Sequence, residues 1–405
     1  MEGFMQKDKL VPDVRFKGFE EEWKTNRLCE VALKFDNLRI PVSESLRIKG
    51  PYPYYGANGV QDYVSGFTHN GEFVLIAEDG ANDLDSYPSN YVNGKFWANN
   101  HVHVLQGFKD TLDNKFLNYS FTNVNFKPLL TGGDRAKLTA SALDTINIKV
   151  PIFNEQRKIG SLLNNIDQLL LFQKSKLEKL QIIKQSLLNK MFASDDQKIP
   201  EIRFKGFVKP WSRTNLQRIS FLRGRIGFRG YKKTDFVDRY RGAISLSPSD
   251  IDENGLVSFA NNSFISIDKY EESPEIKVKI GDIIFTKTAS IGKIGYISYL
   301  PYLATINPQF ALISVFPDKA DSYFVYLCIS NKNFLLNVSK ITAGSSVPTM
   351  SQEKLKSIKF RTPKIIEQQK IGQFFSSLDS LIHSQEQKLE KLNNIKQALL
   401  EKMFC

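Results

Sequence analysis

The chain has 405 residues, with 55 Lys or Arg against 43 Asp or Glu, and so a formal net charge of +12. Its 41% hydrophobic and 24% charged residues are ordinary for a globular protein and exclude a mainly disordered or collagen-like chain. The length suits roughly two to three domains, and the basic excess suits a polyanionic partner, nucleic acid first and an anionic membrane surface second.

Residues 1–10 (MEGFMQKDKL) hold no apolar run and predict no signal peptide. No stretch approaches the roughly 18 apolar residues of a membrane span. Residues 12–23 read PDVRFKGFEEEW and return 188 positions later as PEIRFKGFVKPW at 200–211. Arg15, Phe16, Lys17, Gly18, Phe19 and Trp23 thus recur as Arg203, Phe204, Lys205, Gly206, Phe207 and Trp211.

The stretch that follows reads as mixed α/β. FVLIAED (73–79) and VHVLQGF (102–108) are β-rich runs, punctuated by turn signals such as GANG (56–59) and NGEF (70–73). Its candidate nucleic-acid contacts are scattered: Arg39, Arg47, Lys49, Tyr52, Tyr54, Tyr55, Asn58, Arg135 and Lys137. The aromatics of PYPYYG (51–56) read equally well as core or turn residues. His101 and His103 alternate on a predicted strand and share one face. No third ligand is placed near them, so they read as strand-surface residues. Asp79, Asp83 and Asp85 resemble a cation loop only loosely, because the EF-hand spacing fails.

Residues 151–192 predict a long helix. Ile159, Leu162, Ile166, Leu169, Leu177, Leu180, Ile183, Leu187 and Met191 fall mostly three and four apart and form one apolar stripe. The segment returns 212 positions later, ungapped and about half identical, at 363–404. There Ile371, Phe374, Leu378, Leu381, Leu389, Leu392, Ile395, Leu399 and Met403 repeat the stripe. Both copies open with P-x-x-x-EQ-x-KIG and end in K-MF. Thirty-eight helical residues span about 57 Å, and a helix of that length with one stripe needs a partner. Each helix could pack on its own module, but the extreme length and matched stripes favour a mutual, antiparallel coiled coil of the two copies.

After a short linker at 193–198, FISI (264–267), DIIFTK (282–287), KIGYISYL (293–300) and FALISVF (310–316) are further β-rich runs. Net charge is −2 over residues 12–150, +4 over 151–192, +10 over 199–361 and +1 over 363–404. The basic excess therefore sits in the second module. Residues 218–241 concentrate it, with Arg223, Arg225, Arg229, Lys232 and Lys233 interleaved by Phe221, Phe228, Tyr231 and Tyr240 and by glycines three apart. Arginine can take phosphates or read guanine, and glycine lets a loop approach a phosphate backbone. Lys287 and Lys293, in KIGDIIFTKTASIGKIG (279–295), complete the candidate DNA contacts.

Catalytic patterns fail. There is no GxxxxGK[ST] loop, and RGRIGFRG does not match GxGxxG. Asn307-Pro308-Gln309-Phe310 approaches the [DNS]PP[YF] motif of amino-methyltransferases, but Gln stands in its third position and no cofactor loop precedes it, so it reads as a turn into FALISVF. No catalytic, cofactor or metal site is expected in this chain. Cys29, Cys328 and Cys405 are far apart and form no CxxC, which suits a reducing cytoplasm and no zinc finger or disulfide framework.

Several features together resemble the specificity subunit of type I restriction–modification systems. They are the paired VPDVRFKGF/IPEIRFKGF starts, the paired EQ-x-KIG helices and KIGDIIFTKTASIGKIG. YYGANGVQDYVSGF (54–67), GEFVLIAEDGAN (71–82) and GSSVPTMSQEKLKSIKF (344–360) add to them. One departure is TGGDRAKLT (131–139), standing where the second copy has AGSSVPTMS (343–351). The resemblance implies an α/β (α+β) fold. Two target recognition domains (1–150 and 199–362) are separated by two spacer helices (151–192 and 363–405) in an antiparallel coiled coil, with a pseudo-two-fold internal repeat. It also implies a non-catalytic reader of a split, asymmetric double-stranded DNA target. Two modification subunits would supply S-adenosylmethionine, and restriction subunits would supply ATP and Mg chemistry, in the cytoplasm and away from membranes. Alternatives are a structural coiled-coil adaptor, and a DNA methyltransferase or nuclease acting alone.

Overall fold

The computed structural model describes residues 10–133, 136–193, 197–225, 231–252, 255–288, 290–342 and 349–405. The chain forms two compact units, Met1–Lys176 with Gln385–Cys405, and Leu177–Ser384. Each long helix, Phe153–Met191 and Ile365–Lys402, therefore contributes to both units.

The first unit is built on a six-stranded sheet in the order Ala32–Lys34, Val102–Gly107, His69–Ala77, Ser89–Ala98, Lys49–Gly56, Gly59–Val64. All neighbours are antiparallel except Lys49–Gly56 and Ser89–Ala98. The second unit carries two four-stranded sheets. One is ordered Ser220–Arg223, Phe310–Val315, Ile283–Thr286, Ile294–Tyr296, and the other Phe236–Val237, Ser263–Ile265, Ala243–Leu246, Ala304–Ile306.

A two-stranded clasp frames each module. Lys24–Arg27 pairs with Asn147–Val150, and Ser212–Asn215 pairs with Lys359–Thr362. The registers are repeat images, Lys24 opposite Val150 and Ser212 opposite Thr362.

The clasp leads into the long helix, and the repeated motifs explain the junction. Arg15 donates through Nε and Nη2 to Glu155 Oε1 and Oε2 at 2.7 and 2.8 Å, and also to the Glu21 carbonyl at 2.6 Å. Arg203 does the same to Glu367 at 2.6 and 2.7 Å and to the Lys209 carbonyl at 2.7 Å. Both carboxylates are buried, Glu155 at 0% and Glu367 at 1% exposure. A bidentate fork suits a planar carboxylate, and without it each buried charge would be uncompensated.

The glutamine next in line holds backbone. Gln156 Oε1 accepts from Asp113 N at 2.9 Å and its Nε2 donates to the Thr111 and Pro151 carbonyls at 3.0 and 2.8 Å. Gln368 accepts from Asp321 N at 3.1 Å and donates to the Pro363 carbonyl at 2.9 Å. Asp113 and Asp321 in turn cap the helices Asn114–Ser120 and Ser322–Ser330 by accepting from Phe116 N and Phe324 N. The glycine of KIG lets the long helix lie against that cap. A Cβ on Gly160 would stand 2.7 Å from Phe116 N, and one on Gly372 2.4 Å from Asp321 Oδ1.

The K-MF ends seat the opposite helix. In the first unit Phe404 stacks on Phe116 at 5.3 Å and meets Trp23 edge-on at 6.0 Å. In the second, Phe192 stacks on Phe324 at 5.5 Å and meets Trp211 at 6.0 Å. Val14 N donates to the Lys402 carbonyl, and Ile202 N to the Lys190 carbonyl.

The helices pair antiparallel within each unit. In the first, Asp167 meets Lys396 at 2.6 Å while Gln173 hydrogen-bonds Gln385. In the second, Lys184 meets Asp379 at 2.6 Å while Phe192 packs on Phe375. The seam runs through Ile159, Leu163, Ile166, Leu170, Gln173, Leu177, Leu180, Lys184, Leu187 and Met191. Its counterpart runs through Ile371, Phe375, Leu378, Ile382, Gln385, Leu389, Leu392, Lys396, Leu399 and Met403. These positions alternate four and three apart, the heptad of a coiled coil. The expected stripe is corrected at Leu162, Leu169, Ile183, Phe374, Leu381 and Ile395. Leu162 is half-buried beside the seam, and the other five are exposed. Polar seam residues interrupted the apolar pattern, and adjacent apolar residues filled the count.

Removing one partner of a buried ion pair costs about 3–5 kcal/mol. Glu155→Ala is therefore expected to loosen the first unit and Glu367→Ala the second, by that amount each. Hydrogen exchange resolved by peptide reads it: each variant should speed exchange in its own clasp and Trp-bearing core and leave the other unit unchanged.

Candidate nucleic-acid interface

The two modules can be superposed on their backbone bonding where the central sheets end. Glu78 N donates to the His101 carbonyl, and the Glu78 carbonyl accepts from Leu138 N at 2.7 Å. Lys287 N donates to the Gln309 carbonyl at 2.7 Å, and its carbonyl accepts from Met350 N at 2.8 Å. Asp79 bridges Lys137 as Thr288 bridges Thr349. Glu78 and Lys287 are thus the same position of the fold.

In the first module this position is electrically closed. Arg39 and Lys137 both pair with Glu78, Lys137 Nζ at 2.9 Å. His103 Nδ1 lies 2.6 Å from Asp36 Oδ2 and its Nε2 2.8 Å from the Leu138 carbonyl. Burial alone would raise the Asp36 carboxyl, but the His103 hydrogen bond, the Val104 amide and Arg39 hold it below its ordinary range. Burial likewise opposes Arg39 and Lys137 at Glu78, and the two cations prevail, lowering it. Asp36, Glu78 and His103 present donor atoms within 4.8 Å of one another. All three are already committed to Arg39, Lys137 and backbone, which leaves them poorly suited to a metal ion.

The second module keeps the backbone and replaces the charges. Arg223 faces Leu312 as Phe35 faces Val104, so Gly224 stands where Asp36 does. Ala311 faces Phe285 as His103 faces Ile76. Two acids and an imidazole become Gly224, Lys287 and Ala311. Burial lowers the Lys287 amine from its ordinary value, and no carboxylate pairs with it among the described residues. A Cβ on Gly224 would lie 2.2 Å from Gln352 Nε2 and 3.3 Å from Lys287 Nζ, so these side chains lie together over the glycine.

The remaining candidates separate. Arg223 donates to Ser314, which donates to the buried Asp282 at 2.5 Å, and so is held inward. Burial raises Asp282 despite these contacts. The Arg225 guanidinium lies 4.2 Å over the Tyr231 ring, and its three nitrogens are buried without hydrogen-bond partners among the described residues. Lys232 and Lys233 are exposed on the turn beyond. Lys293 is half-buried, and its Nζ donates to the Pro248 carbonyl at 2.8 Å. Tyr54 is corrected. It is 1% exposed, its hydroxyl engages the Val42 backbone, and Arg47 covers its ring at 4.2 Å. Tyr55 is half-buried against Phe96. Asn58 is exposed, but its amide is spent tying Gly80 and Asn82 to the hairpin turn. Lys137 is held by Glu78, and Arg135 and Arg229 lie outside the described residues. Sequence reasoning missed Glu78, Asp36 and Gln352. Their signal is structural equivalence, because the copies are offset by 188, 209 and 212 residues at successive points.

Other motifs resolve as turns. Asp83 accepts from Asp85 N and Ser86 N, both at 2.9 Å, and Asn307 accepts from Gln309 N at 3.0 Å. His101 pairs with Asp79.

A family model described as the type I restriction modification DNA specificity domain matches residues 20–181 and again 231–394. The chain belongs to this family. A putative type I restriction enzyme specificity subunit of Haemophilus influenzae is 48% identical over 165 residues, 41% of this chain and 42% of that protein. The MjaVIII specificity subunit of Methanocaldococcus jannaschii is 19% identical over 398 residues, covering 94% of this chain and 91% of that one. The crystal structure of a type I restriction–modification S subunit from M. genitalium shares the fold with TM-score 0.72 at 15% identity, covering 98% and 99% of the chains. Among the described residues no helix is long and apolar enough to cross a membrane.

Acid should act unequally on the two units. Asp36 and Glu78 have lowered folded values, so their contribution is present above the unfolded carboxylate range near ~4 and is lost as pH falls through the folded values. Asp282 and Asp321 are raised by burial, so acidification favours their folded, protonated form. Pepsin digestion as the pH is lowered below about 4, mapped by mass, should cut the first unit before the second.

Proposed function

We propose that this chain is the sequence-specificity subunit of a type I restriction–modification system, each module reading one half of a split, asymmetric double-stranded DNA target. The carrying observation is one backbone frame used twice with different chemistry at equivalent positions, Asp36, Glu78 and His103 against Gly224, Lys287 and Ala311. Readers built on one frame present alike to a duplex, and side chains that differ make the half-sites differ. The paired helices are the spacer between half-sites. Two modification subunits dock on this scaffold with S-adenosylmethionine, restriction subunits bring ATP and Mg, and the chain itself is non-catalytic and cytoplasmic. The committed acid cluster of the first module supports that division of labour.

Genome-wide adenine methylation tests it, in cells expressing the chain with and without its modification subunit. The expected outcome is a split, asymmetric motif only when both are present. Methylation by this chain alone would overturn the non-catalytic reading, and absence of any motif with both would count against the specificity role.

A further inference from the structure

We infer that Lys287, with Gln352 beside it over Gly224, is a phosphate seat for the DNA backbone in the second module, and that the equivalent position of the first module, closed by Glu78, makes no such contact. This rests on the DNA-reading function proposed above and adds which module grips the backbone, and where.

Three observations lead there. First, among the described residues the seat is a cation without a counter-ion. The frame that holds Asp36, Glu78 and His103 in one module holds Gly224, Lys287 and Ala311 in the other. Second, Lys287 Nζ and Gln352 Nε2 converge on a residue lacking a Cβ, and neither has a hydrogen-bond partner among the described residues. Glycine there leaves room for both donors. Third, Lys287 is half-buried at the end of its strand. Phosphates project from a duplex, whereas base edges lie inside the grooves, so a recessed amine meets the former. Burial lowers the amine's pKa in the free protein, as expected of a cation whose anion is supplied on binding. The module's net charge of +10 over 199–361, against −2 over 12–150, agrees with a grip concentrated in the second module.

The test is a salt titration of the full-length chain on a fluorescent duplex of random sequence and on one carrying the methylated motif. One lost phosphate contact lowers the slope of log affinity against log salt by about 1 and weakens both duplexes alike. Lys287→Met is expected to do this, Lys287→Arg to restore the slope, and Glu78→Gln to leave it unchanged. Thermal melting of each variant confirms folding. An unchanged slope in folded Lys287→Met overturns the seat. Weakening confined to the motif duplex overturns it in favour of base reading, and a loss of slope in Glu78→Gln overturns the asymmetry. Wild-type protein that retains neither duplex refutes the DNA-reading function itself.

Discussion

The structure depends on a buried charge pair used twice. Glu155 and Glu367 sit at the first turn of the long helices, out of water, and each is held by a single arginine from the RFKGF segment. A buried carboxylate is tolerated only with such a partner, so the segment, the helix start and the clasp are obliged to meet. The neighbouring Gln156 and Gln368 fix the capping aspartates, and Gly160 and Gly372 let the helices lie on those caps. Each helix therefore leaves its module at an angle set by hydrogen bonds, and its far end is held by Phe192 or Phe404 in an aromatic core.

Between these anchors the helices pair through a heptad seam with polar residues in it. Gln173 and Gln385 are the same position of the repeat and bond to each other, and the Asp167–Lys396 and Lys184–Asp379 pairs are repeat images. Polar seam pairs specify register at a cost in stability. In the proposed spacer role that property matters more than maximal cohesion, because a slip along the seam would change the spacer's length.

The anchors were legible because both copies preserve the same letters: Arg15 and Arg203, Glu155 and Glu367, Gly160 and Gly372. The antiparallel coiled coil was legible from helix length and stripe. Its register was not: reading only apolar residues passed over Gln173 and Lys184 and took up Leu169 and Ile183, both exposed. The proposed contact surface was legible only as charge. Tyr54 looked available in PYPYYG, but alternation along Lys49–Gly56 turns it inward, under Arg47. Lys293 looked free until folding brought the Pro248 carbonyl beside it. The exchange of Glu78 for Lys287 is invisible without strand pairing, because insertions in the turns shift the two copies out of step.

The central claim is that recognition and spacing reside in separable parts. The measurement that reaches it most directly is the methylation motif written by a chain lacking residues 170–176 and 382–388, the same heptad of both helices. Seven helical residues are about 10 Å, roughly three base pairs of duplex. The account predicts a motif with both half-site sequences intact and the unspecified gap shorter by about that amount. Altered half-site letters, or an unchanged gap, would contradict it.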